Sequence, residues 1–325
     1  MIARRILRSV AGSRPVLEGI NLLSARRPRV LLYHRFGPQT TIRHLSVDVF
    51  EAQMKLLRER FNLMNVSTLC EALADRCLPR DTAVVTIDDG YEDVYHYAFP
   101  ILKHYKIPAT LYVTTGFLDR CLWLWPDAIA YILDNTTRQE VHWELGGVLP
   151  LRSAEERHEA WRVLATHGEE LSTAELQAWL PRLAEDLGLA LPGAPVDDYR
   201  AMSWDQLREI AAAGIEVGDH SWSHPVLTRC DESDVRWQVE QSKQRLEEAV
   251  GRPVRSFAYP HGASSPAVRA AVRAAGYHSA VGVETPSQEG DVYEVARMGS
   301  GVTLGQFQQA VFGVRILARQ LGISI

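Results

Sequence analysis

The chain has 325 residues, enough for one substantial core or for one core carrying an inserted subdomain. Its 35 Lys and Arg against 40 Asp and Glu leave a net charge of −5, which lacks the basic excess that nucleic-acid binding demands. Four cysteines (Cys70, Cys77, Cys121, Cys230) without a C-x-x-C pair exclude a dense disulfide framework and read as free thiols in a reducing compartment.

Residues 1–28 form a basic extension, with Arg4, Arg5, Arg8, Arg14, Arg26 and Arg27 against the single acid Glu18. Its apolar stretch, Pro15 to Leu23, is too short and interrupted for a signal sequence or a membrane span. Ile2, Ile6, Leu7 and Val10 fit one face of a basic amphipathic helix on anionic lipid; a solvated extension fits equally well. The expectation is a cytoplasmic chain, with this segment as its route to peripheral contact with the inner membrane face.

From residue 29 onward, apolar β-branched runs alternate with helical patterns. The strand candidates are Val30–Tyr33, Ala83–Ile87, Thr110–Val113, Ile215–Gly218, Val254–Ala258, His278–Val283 and Val295–Met298. Helix patterns cover Val47–Phe61 and Glu232–Val250, and Thr303–Leu321 reads as one amphipathic helix. This alternation predicts a parallel sheet. Between about 119 and 200 the rhythm is interrupted by a mainly helical insertion, with capping boxes at Ser153/Glu156 and Ser172/Glu175. Its tryptophans at 123, 125, 143, 161 and 179 suit a small helical core; alternatively, Trp123 and Trp125, close to the end of the Thr110–Val113 strand, help line a ligand site.

Three strand ends carry chemistry. Asp88-Asp89-Gly90 closes the run Ala83–Ile87, and neighbouring side chains on an extended chain point to opposite sides. One carboxylate can then hold a metal while the other faces a reacting water. Past the strand ending at Gly218, His220 and His224 share a face if the segment makes a helical turn. Two imidazoles and a carboxylate make a common open metal site, which keeps positions for water and substrate. The third strand end is Phe257-Ala258-Tyr259-Pro260-His261-Gly262, a tight loop set by Pro and Gly.

Together these blocks resemble the polysaccharide deacetylases with the NodB homology domain, carbohydrate esterase family 4. Thr86-Ile87-Asp88-Asp89-Gly90 stands for the family's T-F-D-D-G. His220-Ser221-Trp222-Ser223-His224-Pro225 matches H-[ST]-x-x-H-P in full. Phe257–Gly262 matches the F-A-Y-P-x-G form of one branch, which often opens with a strand ending in Tyr-His, as Tyr33-His34 does here. The resemblance runs from about residue 29 to about 300. It implies a distorted, incomplete (β/α) barrel of about seven strands with chemistry at the C-terminal strand ends.

The resemblance further implies hydrolysis of the N-acyl, chiefly N-acetyl, group of an amino sugar in a glycan or glycan precursor. The metal ligands would be Asp89, His220 and His224, the base Asp88, and the oxyanion and substrate loop Tyr259, Pro260 and His261, with the His261 N–H as donor. Zinc suits a His₂Asp set; cobalt, nickel, manganese or iron would also fit. Two departures stand out. Ala258 occupies the place of an Arg that in many members holds the base, and neither a D-x-x-D-W block nor a C-terminal L-x-H is present. Arg297 at the last strand could pair with Asp88 in place of that Arg, or bind phosphate, or sit in a surface pair. His34 could be the missing general acid, or serve packing or substrate binding. Rival readings are a degenerate sugar- or metal-binding protein of the same fold, or a deacylase or deformylase of a small non-polysaccharide amide.

Overall fold

The computed structural model describes residues 14–143, 147–283 and 291–314. The stretch Ile2 to Val10 and the end of the C-terminal helix pattern therefore lie outside the described residues. In chain order the elements are α1 (Arg14–Ser24), β1 (Arg29–Tyr33), α2 (Val47–Arg60), α3 (Val66–Ala74), β2 (Thr82–Ile87), α4 (Phe99–Tyr105) and β3 (Ala109–Val113). Then come α5 (Trp125–Asn135), α6 (Ala154–Gly168), α7 (Thr173–Asp186), α8 (Trp204–Ala212), β4 (Glu216–Asp219) and α9 (Glu232–Val250). The chain continues through β5 (Ser256–Ala258), α10 (Pro266–Ala274), β6 (Ser279–Val283), β7 (Val295–Gly299) and α11 (Leu304–Val311).

Every neighbouring pair from β1 to β7 is parallel, and β1 pairs with both β2 and β7. The ring therefore closes on seven strands. β2 shows why these runs become barrel strands: all six residues of Thr82–Ile87 are buried, as a strand covered on both faces requires. Alternate residues divide between two environments. Leu31, Val85, Leu111, Val217, Phe257 and Ala280 pack outward against helices α2, α4, α8, α9 and α10. Each such side chain contributes roughly 1.5–3 kcal/mol on burial.

Val30, Val84, Tyr112, Ala258, Val281 and Val295 meet inside the ring, where Val66, Leu69 and Cys70 of α3 stopper the N-terminal end. Tyr112 takes up so much of this interior that a Cβ at Gly218 would overlap its ring. The inward-facing register also carries Thr86 and then Asp88 to the opposite, C-terminal mouth.

A second core gathers Ile129, Ile132 and Leu133 of α5, Leu164 of α6, and Leu176, Trp179 and Leu183 of α7. Helices α6 and α7 start with the reciprocal boxes Ser153/Glu156 and Ser172/Glu175. Trp123 and Trp125 belong to this core, which favours the packing reading of those two residues. The single helix read over Thr303–Leu321 is interrupted: α11 stops at Val311 and Gly313 takes φ +84°, where a side chain would collide with Ser24. All four cysteines are free, and no helix among the described residues is long and apolar enough to cross a membrane.

Candidate active site

The C-terminal ends of β1, β2, β4, β5 and β7 surround one cavity of about 800 Å³. It brings together His34, Asp88, Asp89, His220, His224, Tyr259, His261 and Arg297. Pro260 is buried beside it and does not line it.

Asp88 and Asp89 do not diverge as an extended chain would send them. Asp89 takes φ +75°, so the chain reverses at the strand end and both carboxylates face the same imidazole. His220 Nε2 lies 3.6 Å from Asp88 Oδ2 and 3.6 Å from Asp89 Oδ1, and His224 Nε2 lies 3.5 Å from the same Asp89 oxygen. Nor do the two histidines share a helical turn. The segment after β4 is an irregular loop with left-handed residues at Ser221 and His224, which brings the ring centroids to 4.8 Å.

That loop is held from beneath by Asp219. Its buried carboxylate accepts from Ser221 N–H (2.7 Å), the Ser242 hydroxyl (2.7 Å) and the Tyr277 hydroxyl (2.6 Å). Burial nonetheless pushes its pKa up to about 7, with those hydrogen bonds opposing the shift. His220 Nδ1 sits 2.7 Å from the carbonyl of Ala258. A carbonyl only accepts, so Nδ1 carries the proton and Nε2 presents its lone pair to the carboxylates.

The donor set fits a small divalent cation. Asp89, His220 and His224 each offer one ligand atom, all within 4.8 Å of one another and all on buried residues. Metal bonds of about 2.0–2.2 Å in tetrahedral array separate ligand atoms by roughly 3.3–3.6 Å, which is the spacing of Asp89 Oδ1 from both imidazoles. Asp89 Oδ1 is buried without any hydrogen-bond partner, an arrangement that a cation would resolve. Burial, then the charges of Asp88 and Asp127, raises the Asp89 pKa well above the usual range. Burial also lowers His220 to about 4 and holds His224 well below the ordinary imidazole range, so both rings are neutral and able to ligate.

Arg297, on β7, forks onto Asp88, with Nη1 to Oδ1 at 2.6 Å and Nη2 to Oδ2 at 2.8 Å. Its guanidinium also reaches the Thr86 hydroxyl and the Gly282 carbonyl and lies over the Tyr112 ring. Desolvation pushes Asp88 upward, but Arg297 and His220 outweigh it and the pKa is lowered. His34, just past β1, is exposed and opens onto the cavity. Desolvation lowers its pKa, Asp88 raises it and Arg297 lowers it again. Tyr259 turns its hydroxyl away, donating to the Tyr293 carbonyl at 2.9 Å. His261, at φ +56°, stacks on Trp125 with centroids 5.1 Å apart and meets His224 edge-on at 4.7 Å.

Other lining residues carried no sequence signal. Arg35 lies over the Tyr91 ring at 4.2 Å and pairs with Asp93 at 3.0 Å. Tyr91 donates to Asp127 of α5 at 2.7 Å, and Trp161 of α6 lines the wall beyond. A lone Arg, Tyr or Trp with no period or spacing attached cannot be assigned to a cavity from sequence. The nearest hint was the position of Tyr91, one residue past Asp-Asp-Gly.

The polysaccharide deacetylase profile matches residues 75–145 and 181–280, just over half of the chain. The chain belongs to the polysaccharide deacetylase family. In this deacetylase-family chain the interruption of the match, 146–180, falls within α6, α7 and their flanks. A poly-β-1,6-N-acetyl-D-glucosamine N-deacetylase of Staphylococcus aureus is 32% identical over 84 residues, 25% of this chain and 29% of the relative. The curated relatives are thus matched over only 29–30% of their own length. Among solved structures, the Streptococcus pyogenes deacetylase PplD in complex with acetate superposes with a TM-score of 0.58 at 17% identity. IcaB from Ammonifex degensii gives 0.56 at 22% identity, and each covers 87% of this chain and 97% of the other. At such identities these likenesses establish the shared fold.

Proposed function

We propose that this chain is a metal-dependent hydrolase that removes the N-acyl, chiefly N-acetyl, group from an amino sugar in a glycan or glycan precursor. The observation that carries the reading is the convergence on one cavity of the Asp89–His220–His224 set and an Asp88 held by Arg297. The Staphylococcus relative, named for action on a poly-N-acetylglucosamine, supports the substrate class. The cytoplasmic location expected above belongs to the same proposal.

A divalent cation, zinc by its fit to a His₂Asp set, would polarise the acyl carbonyl and acidify a water when bound. Asp88 is the base. Arg297 keeps it ionised and fixes both oxygens, so it is ready to accept the proton of the attacking water without reorienting. The backbone N–H of His261 is the donor to the developing oxyanion. His34 donates to the leaving amine; its lowered pKa makes the imidazolium a scarcer but stronger acid. A protein that only bound sugar or metal would have no use for a carboxylate oriented at both oxygens, which favours the enzyme over the degenerate reading.

The test is acetate release from N-acetylglucosamine oligomers by chelated protein, before and after adding zinc, cobalt or manganese. Activity should appear only with metal and vanish in His220→Ala, together with metal occupancy. Acetate release that survives chelation unchanged would overturn the proposal.

A further inference from the structure

The cavity does not end at the metal-ligand set. It continues to a wall made by one face of α5 and one face of α6. Pro126, Ala130 and Leu133 recur on α5 at spacings of four and three, as Ala154, His158 and Trp161 do on α6. The wall is built, because the Trp161 indole donates to the Pro126 carbonyl at 2.9 Å and so locks the two faces together. Of the charged groups nearby, Glu155 is exposed to solvent, whereas the others are engaged within the protein. Arg43 pairs with Asp134 at 2.6 Å, Arg157 donates to the Leu133 carbonyl, and the Asp127 carboxylate accepts from Tyr91. What these groups leave on this wall is mainly carbon surface, which offers a sugar's hydroxyl groups little and an aliphatic chain a great deal.

Between the two ends stands Arg35. It is 7% exposed and its Nη1 has no hydrogen-bond partner, so a polar donor marks where the polar part of a ligand gives way to the apolar part. At the mouth, Ile42 lines the same cavity while 67% exposed, an aliphatic side chain on the path a long chain would follow outward. At about 800 Å³ the whole space lies toward the upper end for sites that enclose a drug-sized ligand.

We propose that the α5–α6 wall is a chain-binding limb of the active-site cavity, and that the substrate is an N-acyl amino sugar carrying an aliphatic chain. This rests on the deacylase reading and narrows its substrate class from a bare glycan to an amphiphile. The chain has two chemical sources, the acyl group being removed or a lipid joined to the sugar's anomeric oxygen.

Three probes separate these sources: the methyl and octyl glycosides of N-acetylglucosamine, and the methyl glycoside of N-octanoylglucosamine. Dissociation constants are measured by calorimetry on zinc-loaded Asp88→Asn protein, so that binding is read without turnover. Each methylene that enters the limb tightens binding about fourfold, so three inside give about sixtyfold over the methyl glycoside of N-acetylglucosamine. A gain for the octyl glycoside assigns the limb to a lipid aglycone, and a gain for the octanoyl amide assigns it to the acyl group. Ala130→Leu should cut the gain at least tenfold, with Ala154→Trp on the more open side serving if that variant does not fold. If both octyl probes bind within threefold of the methyl probe, or the gain persists in the wall variants, the limb is overturned. Release of the acyl group by the wild type, acetate from the two N-acetyl probes and octanoate from the N-octanoyl probe, is measured separately. Its absence on every probe would overturn the deacylase reading while leaving the chain-length ratio standing.

Discussion

Replacing Arg297 with Met removes the guanidinium but keeps most of its volume, and so isolates the charge pair with Asp88. Both side chains are almost fully buried, at 1% and 2% exposure, and the pair is bidentate. Removing one member of such a pair typically costs about 3–5 kcal/mol, because the other charge is left unpaired in the interior. Arg297→Met should therefore lower the unfolding free energy at pH 7 by about that amount, measured by urea denaturation of chelated protein so that metal binding does not contribute. Adding Asp88→Asn should recover about 2 kcal/mol, since a buried amide is less costly than a buried unpaired charge.

The pH dependence follows from the direction of the shift. In the wild type Asp88 is lowered, so its stabilisation is complete above the ordinary carboxylate pKa and is lost as pH falls through the folded value. In the variant, burial acts without Arg297 and raises the pKa. The penalty is then full at neutral pH and shrinks as pH falls through that raised value. The gap between the two proteins must narrow on acidification. A gap that stays constant from pH 7 to pH 4.5, or a double variant no more stable than Arg297→Met, would refute the pairing argument.

Asp88→Asn should load zinc as the wild type does yet lose on the order of a hundredfold or more in kcat, read by metal analysis and acetate release. His34→Ala should lower kcat with little change in zinc affinity and remove the basic limb of the pH–rate profile; a profile that keeps both limbs would take His34 out of the acid role. Asp219, raised to about 7, contributes stability that is complete at acid pH and is lost as pH rises through that value. Asp219→Asn should thus flatten the fall in stability between about pH 4 and 7, the ordinary and the raised value, followed by urea unfolding, whereas an unchanged slope would assign it to another group.

What could be read without the structure was local. The apolar runs that became β2, β3 and β6, the boundaries of α9 and the reciprocal caps at Ser153 and Ser172 depend on side chains within a few residues of one another. The residue types of the candidate metal site were legible for the same reason, each standing at a strand end inside a short motif. Their convergence was not. The expected divergence of Asp88 and Asp89 gave way to a left-handed Asp89, and the expected helical turn at His220 and His224 to a loop tied to Asp219. The fork of Arg297 onto Asp88 spans 209 residues and exists because β1 hydrogen-bonds both β2 and β7, closing the ring that carries them. The Ala258 carbonyl that sets the His220 tautomer is a backbone group, which any residue would supply and no motif can show. The α5–α6 wall likewise depends on where two helices of the second core settle against the barrel. Local periodicity and capping were enough to specify the elements, whereas the cavity depended on contacts between residues distant in sequence, which only ring closure and packing define.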